Sequence, residues 1–121
     1  MSAFKVSVTA RNPKDETRET VHVQALVDTG SELTWLPADV LRSIGVEPRR
    51  RCRFETATQE RVEREVGFAI LRAEGFETIE VVFAQPTDMI LLGVRTIEGF
   101  GVVVDNVGHR FIARTMIVAA A

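Results

Sequence analysis

The sequence predicts a mostly β domain that closes into a barrel and carries one or two short helices. Apolar and polar residues alternate in several segments, as they do over 4–9, and this period of two is typical of strands with one buried face. Clusters of turn-forming residues separate these segments. The 121 residues, 45% of them hydrophobic, are enough to bury one core, so we expect a single domain over 1–121.

The first half of the chain contains three predicted strands and a helix. The alternation over 4–9 stops at the turn formers 11–15, and a second alternation runs over 21–27, so the two segments predict a hairpin. The apolar segment 33–36 suits a short buried strand. Proline at the start of 37–45 and glycine at its end predict a helix of about two turns.

The second half is again dominated by strand patterns. Residues 51–84 predict strands with reversals at 58–60 and 73–75, and Phe68 and Phe83 are expected in the core. The last third predicts, in order, an apolar strand over 89–93, a second short helix over 94–100 and a hairpin over 102–112.

A carboxylate, two hydroxyls and a glycine stand together between two apolar segments. Asp28 can take a proton from water or give one to a leaving group. Thr29 can fix neighbouring backbone, Gly30 lets the backbone approach a partner closely, and Ser31 can hydrogen-bond the carboxylate. This set in a rigid frame favours a preorganised acid–base site. The alternative is an Asx-type turn, in which Asp28 bonds its own backbone two residues on.

Residues 25–31 and the apolar-apolar-glycine segment 90–93 resemble the retropepsin-like aspartic proteases, the family of retroviral proteases and their bacterial relatives. The resemblance covers nearly the whole chain; the first segment is specific and the second is weak by itself. It implies the closed β-barrel of the acid protease fold in a bacterial single-domain member, and an endopeptidase that needs no metal or other cofactor. It also implies that the Thr29 hydroxyls brace two active-site loops and that Ser31 orients Asp28.

One chain carries half of the site that this chemistry needs. Peptide hydrolysis of this kind uses two facing carboxylates that share one proton, and Asp28 is the single Asp of the sequence that is followed by Thr-Gly. We therefore expect a homodimer in which Asp28 meets its copy across a two-fold axis and the pair activates a water. A bell-shaped pH profile on the acidic side is the expected consequence.

The hairpin over 54–66 is the candidate for the flap that covers the cleft in this family. Its tip contains no glycine, and Thr58, Gln59 and Glu60 are the candidates for contact with substrate. For the charged residues Glu60 and Arg61 the favoured interpretation is exposure to solvent alone, as is usual for a charged loop tip.

Two further contacts are expected around this site. Glu32 and Arg95 are placed to form an ion pair, although Arg95 is offset by one residue from the position that the family uses. The apolar end 115–121 and the strand over 4–9 are both suited to the dimer contact; the alternative is that they pair within one subunit, and the sequence does not decide between the two.

Composition argues against several other classes. A formal net charge of −2 gives no field for nucleic acid or membrane, and the basic run 48–53 has no interleaved aromatic residues. Cys52 stands alone and predicts a buried or half-buried thiol, and His22 and His109 belong to no metal-ligand motif. Without a signal-peptide pattern or a membrane-spanning apolar run, we expect a cytoplasmic location.

The expected function is therefore cleavage of peptides or unfolded proteins by a homodimeric aspartic endopeptidase. The alternative is a catalytically weak or inactive domain of the same fold that serves in peptide binding or assembly. The glycine-free tip and the offset of Arg95 motivate this alternative, because a fold does not fix a function.

Overall fold

The structure is a computed structural model that describes residues 4–115, except for the side chains of Ile79 and Glu80. Over these residues the chain forms ten strands and two short helices. The strands are β1 (Lys5–Asn12), β2 (Asp15–Glu19), β3 (Val23–Asp28), β4 (Thr34–Pro37), β5 (Pro48–Glu55), β6 (Arg61–Ala73), β7 (Phe76–Ala84), β8 (Leu91–Gly93), β9 (Val102–Asp105) and β10 (Arg110–Ala113), and the helices are α1 (Ala38–Ser43) and α2 (Val94–Phe100).

Six strands form a closed ring, in the order β1, β3, β8, β4, β7, β6 and back to β1. The pairs β3–β8 and β4–β7 are parallel, and the other pairs of the ring are antiparallel. Outside the ring, β2 pairs with β1 and β5 pairs with β6, while β9 and β10 form a two-stranded sheet. The ring and the two helices confirm the prediction of a mostly β fold. No helix within the described range is both long and apolar enough to cross a membrane.

The main core lies inside this ring and beneath the two helices. On β1 the residues Val6, Val8 and Ala10 are buried while Lys5 and Ser7 are exposed, as the alternation over 4–9 predicts. The largest fully buried apolar side chains of this main core are Leu36, Leu41, Leu71, Leu92, Val8 and Val81. Strands from distant parts of the sequence thus share one apolar interior.

A second, smaller apolar cluster lies at the base of the β5–β6 hairpin. Its buried members are Leu33, Val66 and Val82, and the half-buried Trp35, Cys52 and Phe54 pack against them. The rings of Trp35 and Phe54 meet edge to face with centroids 5.0 Å apart. The thiol of Cys52 is free and half-buried, as the sequence predicts.

Both predicted helices and all the predicted reversals are present. At the β6–β7 turn, Glu74 and Gly75 have φ values of 50° and 86°, the backbone geometry of a tight two-residue hairpin. At the β5–β6 turn, Gln59 has a φ of 65°, so this residue supplies the positive φ that a glycine would adopt more easily.

Three details differ from the sequence-based expectations. The structure adds β2, and the strand expected over 89–93 is shorter: it begins at Leu91, and Met89 before it is 63% exposed. The prediction that Phe68 lies in the core is wrong: it is 41% exposed, since the inner positions of β6 are the odd-numbered ones there. Apart from Thr115, the apolar end expected over 115–121 lies outside the described residues.

Candidate active site

Asp28 is the last residue of β3 and lies beside the last residue of β8. In this parallel pairing Leu26 faces Leu91, Val27 faces Leu92 and Asp28 faces Gly93. The side chain of Ala25 is fully buried and Asp28 is half-buried, so the core fixes the strand up to the point where the carboxylate emerges. The structure thus brings together the two segments that carry the family resemblance.

The loop after β3 orients the carboxylate through backbone hydrogen bonds. The N–H of Gly30 donates to Oδ1 of Asp28 at 2.9 Å, and the N–H of Ser31 donates to the Asp28 carbonyl at 3.2 Å. A bond from the residue two places on is the Asx-type turn that the sequence left as an alternative. The turn is present, and it holds the Asp28 carboxylate in a defined direction, so the turn and the acid–base interpretation are compatible. Thr29 and Gly30 are exposed.

Ser31 makes a different contact from the one that the resemblance implied. Its hydroxyl donates to the carbonyl of Leu33 at 2.8 Å, so its single proton is engaged away from Asp28. The carbonyl of Ser31 accepts the N–H of Val94 at 2.6 Å, and that of Glu32 accepts the N–H of Arg95 at 2.9 Å. Ser31 therefore ties the loop to the start of α2, and the amide of Gly30 is the group that bonds the Asp28 carboxylate.

Two buried threonines form hydrogen bonds at the end of β8, next to the Asp28 loop, and neither was predicted as a site residue. The N–H of Gly93 donates to Oγ1 of Thr34 at 3.0 Å, and the Thr34 hydroxyl donates to Oγ1 of Thr96 at 2.6 Å. Thr34 is fully buried and Thr96 is 3% exposed. A signal existed in the sequence: a threonine within an apolar strand needs a hydrogen-bond partner when that strand is buried.

The ion pair expected between Glu32 and Arg95 is present at the surface. Their closest charged atoms are 3.7 Å apart, and the side chains are 81% and 56% exposed. An exposed pair at this distance contributes little to stability. The closer links between this loop and α2 are the backbone bonds to Val94 and Arg95.

The predicted flap is the β5–β6 hairpin, and the three residues singled out at its tip are exposed. The turn is closed by the N–H of Thr56 on the carbonyl of Glu60 at 2.8 Å and by the N–H of Gln59 on the carbonyl of Thr56 at 2.9 Å. The hydroxyls of Thr56 and Thr58 lie 3.1 Å apart. Contact of Thr58, Gln59 and Glu60 with substrate stays a prediction.

The profile of the aspartyl protease family matches residues 15–96, which is more than half of the chain. The chain belongs to the aspartyl protease family. The matched segment contains the Asp28 loop, the β5–β6 hairpin and β8. None of the curated proteins compared with the chain matches it significantly.

Two other ionisable side chains, those of His109 and Asp105, have structural contacts of their own. Within residues 4–115, no group of three or more His, Cys, Asp or Glu side chains is arranged to hold a metal ion. His109 stacks on Phe4 with ring centroids 5.1 Å apart. Asp105 accepts the N–H groups of Gly108 and Val107 in the β9–β10 turn, which lowers the pKa of its carboxyl.

Proposed function

We propose that this chain is an aspartic endopeptidase that is active as a homodimer. The observation that carries the proposal is the position of Asp28: a half-buried carboxylate at the end of a core strand, bonded by the Gly30 amide and paired with Gly93 of β8, in a chain of the aspartyl protease family. Asp28 is also the single Asp-Thr-Gly aspartate of the sequence. A second carboxylate must therefore come from a second copy.

The two Asp28 carboxylates divide the chemistry between them. Two carboxylates in contact do not both ionise, so the pair holds one proton. The ionised member takes a proton from a water molecule, which attacks the peptide carbonyl, and the protonated member donates to the carbonyl oxygen. The carboxyl that took the proton of the water then gives it to the leaving nitrogen, the C–N bond breaks, and the other carboxylate takes back one hydroxyl proton of the intermediate, so the pair again holds one proton. No covalent bond to the enzyme forms, and Thr29, exposed next to Asp28, faces the partner loop across the dimer axis.

The substrate is an extended peptide or an unfolded protein segment. An extended chain binds by adding a strand to exposed backbone, and among residues 4–115 β5 pairs with β6 alone, so its other edge has no partner strand within that range. In this proposal the tip residues Thr58, Gln59 and Glu60 contact the substrate backbone.

The test is a mixing experiment with Asp28→Asn, which removes the ionisable group and preserves side-chain size. The variant alone should fold normally by circular dichroism and cleave no unfolded protein substrate. Added in excess to a fixed amount of wild-type protein, it should suppress activity, because most wild-type chains then sit in mixed dimers with one carboxylate. Asp39→Asn, a substitution at an exposed helical Asp, is the matched control and should not suppress. Retained cleavage by Asp28→Asn, or wild-type activity unaffected by excess variant, contradicts the proposal.

The glycine-free tip favours one second candidate, a domain of this family that binds peptides without efficient turnover. The tip is closed by two backbone hydrogen bonds of Thr56 and relies on Gln59 at positive φ, which makes a stiffer turn than one with glycine. A transition-state mimic of the pepstatin type separates the two candidates. An active pair of carboxylates binds the mimic much more tightly than a substrate peptide, whereas an inactive domain binds both with similar affinity.

A further inference from the structure

Arg64 on β6 and Asp88 in the β7–β8 connection form a bidentate ion pair. Nε of Arg64 donates to Oδ2 of Asp88 at 2.8 Å, and Nη2 donates to Oδ1 at 3.0 Å. The third guanidinium nitrogen, Nη1, donates to the carbonyl of Glu63 at 2.8 Å. The two side chains are only 15% and 14% exposed. Two parallel hydrogen bonds fix the relative orientation of the guanidinium and the carboxylate. The ammonium group of a lysine would not impose such an orientation.

On one side, the pair holds the segment that leads into β8. The N–H of Gln85 donates to Oδ2 of Asp88 at 2.7 Å, and the N–H of Asp88 donates to the carbonyl of Gln85 at 2.8 Å, so the turn is closed from both ends. Two residues later, the carbonyl of Ile90 accepts the N–H of Leu26 at 3.1 Å. Asp88 is thus fixed next to the strand that pairs with the Asp28 strand.

On the other side, the pair holds the β5–β6 hairpin. Arg64 lies opposite Cys52, and Val62 lies opposite Phe54, so these four side chains share one face, and all four are half-buried. The opposite face carries the exposed side chains of Arg51, Arg53, Glu55, Arg61 and Glu63. Within the half-buried face, Phe54 contacts Trp35 of β4 and Arg64 contacts Asp88. The Phe54–Trp35 contact and the Arg64–Asp88 pair are therefore two of the contacts that connect the hairpin to the rest of the fold. The others are the packing of Cys52 in the second apolar cluster and the more exposed Arg42–Glu65 ion pair.

We propose that the Arg64–Asp88 pair positions the β5–β6 hairpin relative to the strands that carry Asp28, and that Arg64 and Asp88 are positioning residues for substrate binding. The inference rests on the proposed function, in which this hairpin contacts the substrate. Charges removed from water gain little net stability from pairing, but they favour a single geometry. The elements that the pair connects are the hairpin and the β7–β8 connection, which leads into the strand beside Asp28.

The test neutralises both partners at once, since a single substitution would leave an unpaired buried charge. In Arg64→Gln/Asp88→Asn we expect faster hydrogen exchange of the amides that join β5 to β6. The KM for an extended peptide should rise by about tenfold, and kcat should change by less than about twofold, because the Asp28 pair is untouched. Arg51→Gln/Glu63→Gln is the matched control. It neutralises a pair on the exposed face of the same hairpin, 3.8 Å apart with side chains 61% and 57% exposed, and should behave as wild type.

Arg64→Lys is the second variant, in case the double variant does not fold. It keeps the charge and loses the bidentate geometry, so a smaller rise in KM and in hairpin exchange is expected. The proposal is overturned if the β5–β6 amides of the double variant or of Arg64→Lys exchange hydrogen at the wild-type rate. Faster exchange with an unchanged KM overturns it as well, because the hairpin would then be loosened without effect on substrate. If the wild-type protein cleaves nothing, the proposed function fails, and the affinity for an uncleaved extended peptide takes the place of KM: weaker binding in the variant supports the positioning role and equal binding overturns it.

Discussion

Gly93 lies beside Asp28 in the pairing of β8 with β3, and it packs directly against the backbone of the loop that follows Asp28. A Cβ atom at position 93 would lie 2.2 Å from the carbonyl oxygen of Leu33 and 2.9 Å from that of Ser31. Both neighbours are backbone atoms, so no side chain can move aside. The φ of Gly93 is −90°, which any residue adopts, and close approach is therefore the reason that glycine is needed here.

Gly93→Ala should displace the loop that carries Asp28. The added methyl group overlaps backbone, so either the loop or the start of α2 must shift, at a cost of about 3 kcal/mol in the free energy of unfolding. A shift of the Asp28 carboxylate by about 1 Å would lower kcat by about a hundredfold. Denaturant unfolding and peptide cleavage measured on the same preparation check both effects.

Gly75→Ala is the control for this substitution. Gly75 has a φ of 86° and nothing within 4 Å of the position of an added Cβ, so the cost there is backbone strain alone, about 1 kcal/mol. Its turn joins β6 to β7, so activity per folded molecule should equal that of wild type. Equal effects of the two substitutions on kcat would show that the close contact at Gly93 has no role in placing Asp28.

The two buried threonines should differ in importance, because one of them bonds Gly93 and the other does not. Thr34→Val preserves shape and leaves the N–H of Gly93 without its acceptor, which should cost about 1–3 kcal/mol and lower activity. Thr96→Val removes only the acceptor of the Thr34 hydroxyl, so a smaller loss is expected. Unfolding free energies and kcat for the two variants check the order, and a larger effect of Thr96→Val contradicts it.

The contacts of these threonines could not be predicted from the sequence, whereas most of the elements around them could. The Asp28 loop, both helices and the hairpins could be predicted, because their signals lie in neighbouring residues: Asp-Thr-Gly-Ser, proline and glycine at helix ends, and alternating apolar residues. The bond between Thr34 and Gly93 joins residues that are distant in sequence, in two strands of the same ring. No pattern among neighbouring residues predicts this hydrogen bond.

The errors in the predicted elements have a similar cause. β2 has the sequence Asp-Glu-Thr-Arg-Glu with every residue exposed, so it lacks the apolar alternation by which strands are recognised. Its strand pairing comes from its neighbour β1. Phe68 is apolar on the outer face of β6, where the guanidinium of Arg49 lies 4.8 Å from its ring centroid. Hydrophobicity alone assigns such a residue to the core, and a cation–π contact covers it instead.

The stability of this protease should depend on Asp88 at acidic pH. Hydrogen bonds from Arg64 hold the pKa of the Asp88 carboxyl below its ordinary value of 3.8; burial opposes this shift, and the N–H of Gln85 adds to it. As the pH falls, the Asp88 carboxyl of the unfolded chain is protonated near the ordinary pKa, at a higher pH than the same carboxyl in the folded chain. The stabilisation is therefore complete above that value and is lost as the pH falls through the lower, folded pKa.

Asp88→Asn isolates this contribution. At neutral pH the variant should be less stable than wild type by about 1–2 kcal/mol, because the half-buried guanidinium of Arg64 loses its charged partner and keeps only a neutral acceptor. The difference should narrow as the pH falls below the ordinary pKa of 3.8 and through the lower pKa of folded Asp88, where the wild-type carboxyl becomes protonated. Effects of the other carboxyls with lowered pKa, those of Asp15 and Asp105, cancel in the comparison. A difference that stays constant over this range contradicts the prediction.

The contact between Phe54 and Trp35 gives the hairpin a fluorescence signal of its own, because Trp35 is the single tryptophan of the chain. Phe54→Ala removes the ring that packs against the indole, so the emission of Trp35 should move to longer wavelength, and the free energy of unfolding should fall by about 2 kcal/mol. Without this contact, the amides of the β5–β6 hairpin should also exchange hydrogen faster than in wild type. Phe68→Ala is the control of equal size: its ring lies on the outer face of β6 against Arg49, and its loss should leave Trp35 emission unchanged. An emission shift in both variants, or in neither, would mean that Trp35 does not report the attachment of the hairpin.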